Sequence, residues 1–322
     1  MRNALSIALL GGVAAFTSTI FASEEIRAIR FPENPIVVPA ASKSLGNNIN
    51  GPSLIRTPDW VKHPLGRYYL YFAHHRGKFI RLVYSDQLRG PWHVYEPGTL
   101  RLEQAPRCHD HIASPDVHVD DTRREIRMYF HCPAGAADSV DIGEQKTFVA
   151  TSTDGLQFTS LSQPLGPAYF RVFQRGEYFY AIVRSGSVLR SRDPNAPFEE
   201  GPTLVKADHG RILRHAAVDI RGDVLRIYYS RIGDRPERIL VTNVRLTHDW
   251  SEWSASEPTV ILRPERKFEG GNLPLETSEP DDAPGRVRQL RDPSIYREGM
   301  RTYLVYSIAG ESGLAIAELV TR

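Results

Sequence analysis

Three carboxylates and a group of histidines are the side chains of this 322-residue chain best suited to chemistry. Asp292, in QLRDPSIY (289–296), precedes a proline at the head of a predicted strand, with Arg291 beside it to hold it ionised. Asp116, in HIASPDVHVD (111–120), sits one step down a strand where apolar residues are expected. A charge there needs a partner or a purpose, and is open to a shifted pKa. Glu269, in RKFEGGNLP (266–274), is followed by Gly270-Gly271, which let backbone approach a ligand closely. Each has a plain structural alternative: a turn Asp before Pro293, a buried Asp satisfied by backbone or histidine, and a solvated loop Glu. His74 and His75 end one predicted strand, His131 ends another, His109 and His111 flank a strand opening, and His215 heads a further one. Such histidines hydrogen-bond hydroxyls, act as general acids or hold metals. Their spacing matches no standard zinc motif, so no metal ligands are assigned and no cofactor is expected to be required, with a structural Ca²⁺ near the axis left open. Asn50, His74, His75, His111, His215, Arg231 and Arg291 are the candidate substrate-binding residues. Carboxylates converging in a cleft are what glycoside cleavage requires, one protonating the leaving oxygen and one activating water or attacking the sugar.

The elements that must position these groups are strands. Short alternating segments separated by Gly, Pro and Asp turns run through the chain, and they recur in blocks. One phrase opens the blocks in near-copies: GPSLIR (51–56), SPDVHV (114–119), HAAVDI (215–220) and DPSIYR (292–297). A recurring block of about four strands indicates an all-β, five-bladed β-propeller. The fifth block offers only three strands, and NPIVVP (34–39) is expected to supply the fourth, closing the ring and hiding strand edges. In that topology block openings, second-strand ends and inter-blade loops share one rim, where the candidate residues gather. The long Gly- and Pro-rich loop 263–291 joins them there.

A net charge of +2 with no basic run speaks against a nucleic-acid partner. Residues 1–22, an Arg followed by an apolar, Ala-rich stretch ending at Ala22, have the layout of a secretory signal peptide. The expected organisation is therefore a leader over 1–22 and a propeller domain over 23–322, secreted or periplasmic, with no membrane partner after cleavage. Export permits a disulfide, and Cys108 and Cys132 flank one predicted hairpin, so their pairing is geometrically reasonable.

These motifs resemble the five-bladed propeller glycoside hydrolases: family 43, family 117 and the invertase and levansucrase families. SPDV (114–117) resembles the second-blade motif of family 43, which implies that Asp116 tunes the acid and orients substrate. DPSI (292–295) resembles the motif carrying the general base, while RDP (291–293) equally resembles the invertase-type motif, whose Asp binds sugar hydroxyls and stabilises the transition state, so either role is implied for Asp292. FEGG (268–271) resembles the motif around the acid, implying Glu269. The order departs from family 43, since the first blade opens with Gly51 where the base would stand and the third opens LGPAYF (165–170) without an acid. A family 117 likeness would allow a histidine acid, His111 or His75. The implied activity is exo-acting glycoside hydrolysis on a carbohydrate. The alternatives are a propeller that binds glycans without cutting them, or a metal-dependent enzyme of another class.

Overall fold

Alternating apolar and polar residues give each strand one face for a neighbouring sheet, and five such sheets pack around an axis. The computed structural model describes residues 25–134 and 144–321; the leader expected over 1–22 lies outside the described residues. Blade I comprises Asn50–Arg56, Tyr68–Ala73, Arg81–Ser85 and His93–Val94 from axis to periphery. Blade II comprises Ala113–Asp120, Glu125–Pro133 and Gln145–Ser152, edged by the short Thr159–Ser160 and Gly166–Pro167. Blade III runs Arg171–Arg175, Tyr178–Ile182, Ser187–Ser191 and Glu199–Thr203. Blade IV runs Ile212–Arg221, Val224–Ile232, Ile239–Arg245 and Thr259–Leu262. Blade V holds Leu290–Glu298, Arg301–Ile308, Leu314–Thr321 and, outermost, Ile26–Arg30. Among the described residues no helix is long and apolar enough to cross a membrane.

The closing strand is therefore Ile26–Arg30, paired antiparallel with the last strand from Ile26 opposite Thr321 to Arg30 opposite Ala317. The expectation of 34–39 is corrected: that segment makes a single bridge, Val37 to Leu314. Pro35 and Pro39 remove two donors from it, so it cannot sustain a ladder. IRAIR alternates half-buried and exposed positions, the pattern of an edge strand lying on a blade.

The core lies between the blades. Tyr69, Tyr71 and Leu82 of blade I meet Ile126, Met128 and Phe130 of blade II, and each of the other four interfaces has its own apolar cluster. The Tyr68–Ala73 strand is buried at every residue. Burial of about 25 cal/mol per Å² of apolar surface at each interface fixes the blades against one another. The Cys108–Cys132 disulfide is present, with Cα atoms 5.4 Å apart, and ties the approach to blade II to its second strand.

Candidate active site

The inner strands bend where they reach the axis. In blades I, II, IV and V the pairing of the first two strands slips, between Asn50 and Ser53, Ala113 and Asp116, Leu213 and Ala216, and Arg291 and Ser294. At the bend Gly51, Ser114 and Asp292 have φ of 56°, 50° and 48°, and Tyr169, just before the inner strand of blade III, has φ 71°. Only glycine takes the left-handed region at no cost, so three non-glycine residues there mark stored strain of a kind that gathers at functional sites. Close packing enforces it: a Cβ on Gly51 would come within 3.1 Å of Ser114 Cα. Arg171 holds the bend from below, donating to the carbonyl oxygens of Ser114, Pro115 and Ala216 at 3.0–3.4 Å.

Above these bends a cavity of about 60 Å³ opens on the axis. Asn50, His75, His111, Ser114, His131, Tyr169, Arg184, Arg214, His215 and Glu311 line it, contributed by all five blades. His215 stands at its base. Its Nδ1–H donates to Asp292 Oδ1, and its Nε2 lies 3.3 Å from Ser114 Oγ. Asp292 is 1% exposed, and its other oxygen accepts from the Gly51 amide and the Ser307 hydroxyl, each at 3.3 Å. Burial alone would raise the Asp292 pKa, but His215, Arg214 and Arg291 outweigh it and hold the carboxyl well below the usual range. Burial lowers the His215 pKa despite the neighbouring Asp292, which favours the uncharged imidazole, and the carboxylate at Nδ1 favours the tautomer with its proton there.

A curved wall of rings continues from His215. Tyr169 lies 4.3 Å from His215 and stacks at 4.0 Å on His131, which meets His111 edge-on at 6.5 Å. His111 Nδ1 is 3.0 Å from Asp110 Oδ2, a second imidazole–carboxylate pair at the cavity. Below the opposite wall, Arg214 and Arg291 share Glu237, at 2.9 and 3.2 Å, and Arg291 also reaches Glu311 at 2.9 Å. Two arginines and two glutamates thus pair off, the only economical way to bury four charges. Glu311 also accepts from Asn48 and Asn50, which leaves it ordered at the cavity wall.

The structure brings Asn50, His75, His111 and His215 to this cavity, with Arg291 and Asp292 directly beneath. It does not bring Asp116, Glu269, His74 or Arg231. Asp116 points between blades II and III, accepting from His118 Nε2 at 2.8 Å and the Val172 amide at 2.7 Å. Glu269 is fully buried and its oxygens accept from five donors: Arg30 twice, Tyr306 and the amides of Glu265 and Arg266. No lone pair remains to meet a substrate, so it serves as a latch. His74 turns to Asn47 at 3.3 Å, its pKa lowered to about 4, first by burial and then by Arg81. Arg231 binds Asp234 at 2.9 Å and faces a separate groove beside Trp253. Asp292 itself is buried behind His215, with its carboxylate bonded to the imidazole.

Ser114 and Glu311 were not legible as site residues. Ser114 holds the same place in its phrase as Asp292 does in DPSIYR, which is the signal that identifies it. Glu311 lies in the tight turn Ala309–Gly313, whose composition reads as an ordinary hairpin loop. Among the described residues no group of three or more His, Cys, Asp or Glu is placed to hold a metal ion.

No family model matches the chain. In sequence it is similar to the "uncharacterized protein R118" of Acanthamoeba polyphaga mimivirus, 39% identical over 329 residues that cover 92% of this chain and 91% of the relative. In fold it is similar to an α-L-arabinofuranosidase from Lactobacillus brevis, with TM-score 0.59 and 14% identity over 88% of this chain and 92% of that one. A family 43 enzyme from Xanthomonas citri complexed with xylose gives 0.57 and 14% over 88% and 93%. An exo-1,5-α-L-arabinanase from a bovine ruminal metagenomic library gives 0.53 and 11% over 85% and 92%. At such identities the likeness is one of architecture. The chain belongs to the same family as the mimivirus protein, and it is a divergent five-bladed β-propeller of the architecture seen in the family 43 glycoside hydrolases.

Proposed function

We propose that the protein is an exported glycoside hydrolase that removes a terminal sugar at the axial cavity. The observation that carries this reading is the buried Asp292–His215 pair, whose Nε2, in contact with Ser114 Oγ, is at the base of a polar cavity on the axis of this architecture. His215 is the proton acceptor that activates the attacking nucleophile, with Asp292 as the positioning residue that fixes its tautomer and ring orientation. His111, backed by Asp110, delivers a proton to the leaving oxygen. Glu311, held by Asn48, Asn50 and Arg291, supplies negative charge beside the oxocarbenium-like transition state. A single narrow cavity at the axis fits exo-action, and the fold neighbours make arabinosides and xylosides the first substrates to examine.

The test is a panel of aryl pentosides assayed with the wild type and His215→Asn, which keeps a donor to Asp292 and cannot take a proton. Loss of a general base lowers kcat/KM by about 10²–10⁴-fold, and that loss is expected with an unchanged circular dichroism spectrum. Equal rates in the two proteins would remove His215 from the mechanism. A second reading, a propeller that binds glycans without cutting them, is favoured by the placement of Asp116 and Glu269 away from the cavity. Pentoside binding without release of the aryl group would establish it.

A further inference from the structure

The geometry points to Ser114 as a nucleophile, completing a Ser114–His215–Asp292 relay whose substrate is a small O-acyl ester carried on a sugar. The inference shares its base with the proposed glycosidase activity and adds a second reaction at the same cavity. Three observations carry it. The first is connectivity: Asp292 Oδ1 meets His215 Nδ1, and His215 Nε2 lies 3.3 Å from Ser114 Oγ. That is the order of roles in acyl-transfer triads, in which the carboxylate orients the imidazole and the imidazole deprotonates the hydroxyl. Such contacts are commonly long in the unliganded state and tighten when substrate binds. The second is backbone strain. Ser114 sits at φ 50° on a sharp bend held by Arg171, and a strained turn is how an activated serine is presented to substrate.

The third observation is unmet hydrogen-bonding capacity. His131 Nδ1 and Gln145 Oε1, both at the wall of the cavity, are buried and have no hydrogen-bond partner among the described residues. Orphaned buried polar atoms are rare and ask for a ligand group. In the tautomer protonated at Nδ1, His131 is a donor for the oxyanion of a tetrahedral intermediate, and Arg184, its guanidinium 5.3 Å over the Tyr169 ring, adds positive charge. The polar cavity opens outward from Ser114, so the acyl group sits at its base and the sugar toward its mouth.

In the first half-reaction Ser114 Oγ bonds to the ester carbonyl carbon and its proton passes to His215 Nε2. The bond from acyl carbon to sugar oxygen breaks, and that oxygen takes the proton from His215, leaving an acyl-serine. In the second half, water attacks the acyl carbon and gives a proton to His215. The acyl–Oγ bond breaks, Ser114 regains a proton, and the carboxylic acid leaves.

The experiment treats the intact protein with a small fluorophosphonate at neutral pH, followed by intact mass and peptide mapping. O-acetylated and unacetylated aryl pentosides are assayed in parallel. One adduct per chain on Ser114 is expected, formed at least ~10²-fold more slowly in His215→Asn and absent in Ser114→Gly, whose glycine accepts the left-handed backbone without strain. Acetate release from the acetylated pentosides is expected in the wild type and lost in both variants. No adduct, or an adduct whose rate ignores His215, overturns the inference. Pentoside cleavage with an unlabelled Ser114 overturns this inference alone, whereas a labelled Ser114 with intact glycosidic bonds overturns the glycosidase reading alone.

Discussion

At the residue scale the account turns on imidazoles kept neutral by burial. His131 is pushed well below the usual histidine range by burial and then by His215, and His215 is lowered by burial against the pull of Asp292. An unfolded histidine titrates near pH 6.5. Below that pH the unfolded chain binds protons that these two folded-state imidazoles refuse, so stability is full above about 6.5 and falls as the solution is acidified toward their lowered pKa values. Each contributes a slope of about 1.4 kcal/mol per pH unit. The lowered carboxyls of Asp116 and Asp292 act in the same direction only at much lower pH, as they become protonated. Urea unfolding at pH 7.5, 6 and 5 is expected to show this loss, and His131→Gln is expected to flatten it; a stability constant over that range would contradict the assignment. Of the histidines the sequence offered for the rim, His75, His111, His131 and His215 line the axial cavity and His74 does not. Asp116 stood out as a candidate because a charge on an inner strand is anomalous. The anomaly is real, and His118 and the Val172 amide resolve it between two blades.

At the scale of elements, the repeated opening phrase proved to be a statement about backbone. Its copies converge because each of the four inner strands that carry it bulges at the axis, and the bulge cannot be read from composition. In blade IV pairing places Ala216 level with Ser53, Asp116 and Ser294, which sets His215 one position off the alignment suggested by the motif. That offset is what aims the ring at Asp292. The propeller itself was legible, because alternation and turn residues determine strands locally. Which N-terminal segment closes the ring was not: NPIVVP was the expected strand, and the five-residue IRAIR forms it instead. The decision rests on proline content and on a latch that only the fold reveals: Arg30 of the closing strand bound to Glu269 of the rim loop at 2.7 and 3.0 Å. Glu269→Gln leaves the half-buried Arg30 guanidinium with only the more distant Glu265, at 3.6 Å, as countercharge and is expected to cost about 1–3 kcal/mol. A thermal melt checks this, and an unchanged Tm would show that the latch is dispensable.

At the scale of the whole molecule, no blade owns the site. Asn50 comes from blade I, Ser114 and His131 from blade II, Tyr169 from the approach to blade III, His215 from blade IV, and Asp292 and Glu311 from blade V. The cavity is therefore assembled only when all five blades pack around the axis. It also explains how a chain can keep the architecture of the family 43 enzymes while placing its titratable groups in a different order: the axis fixes where inner-strand residues point, and the residue types at those points are free to change. The central claim is that His215 waits as a neutral base with its proton on Nδ1, bound to Asp292. A ¹⁵N chemical-shift titration of the labelled imidazoles, assigned with His215→Asn, measures this without reference to any substrate. The account predicts a neutral Nδ1–H tautomer at pH 7 that gains a proton only below pH 6.5; an imidazolium at pH 7, or a proton resident on Nε2, would contradict it.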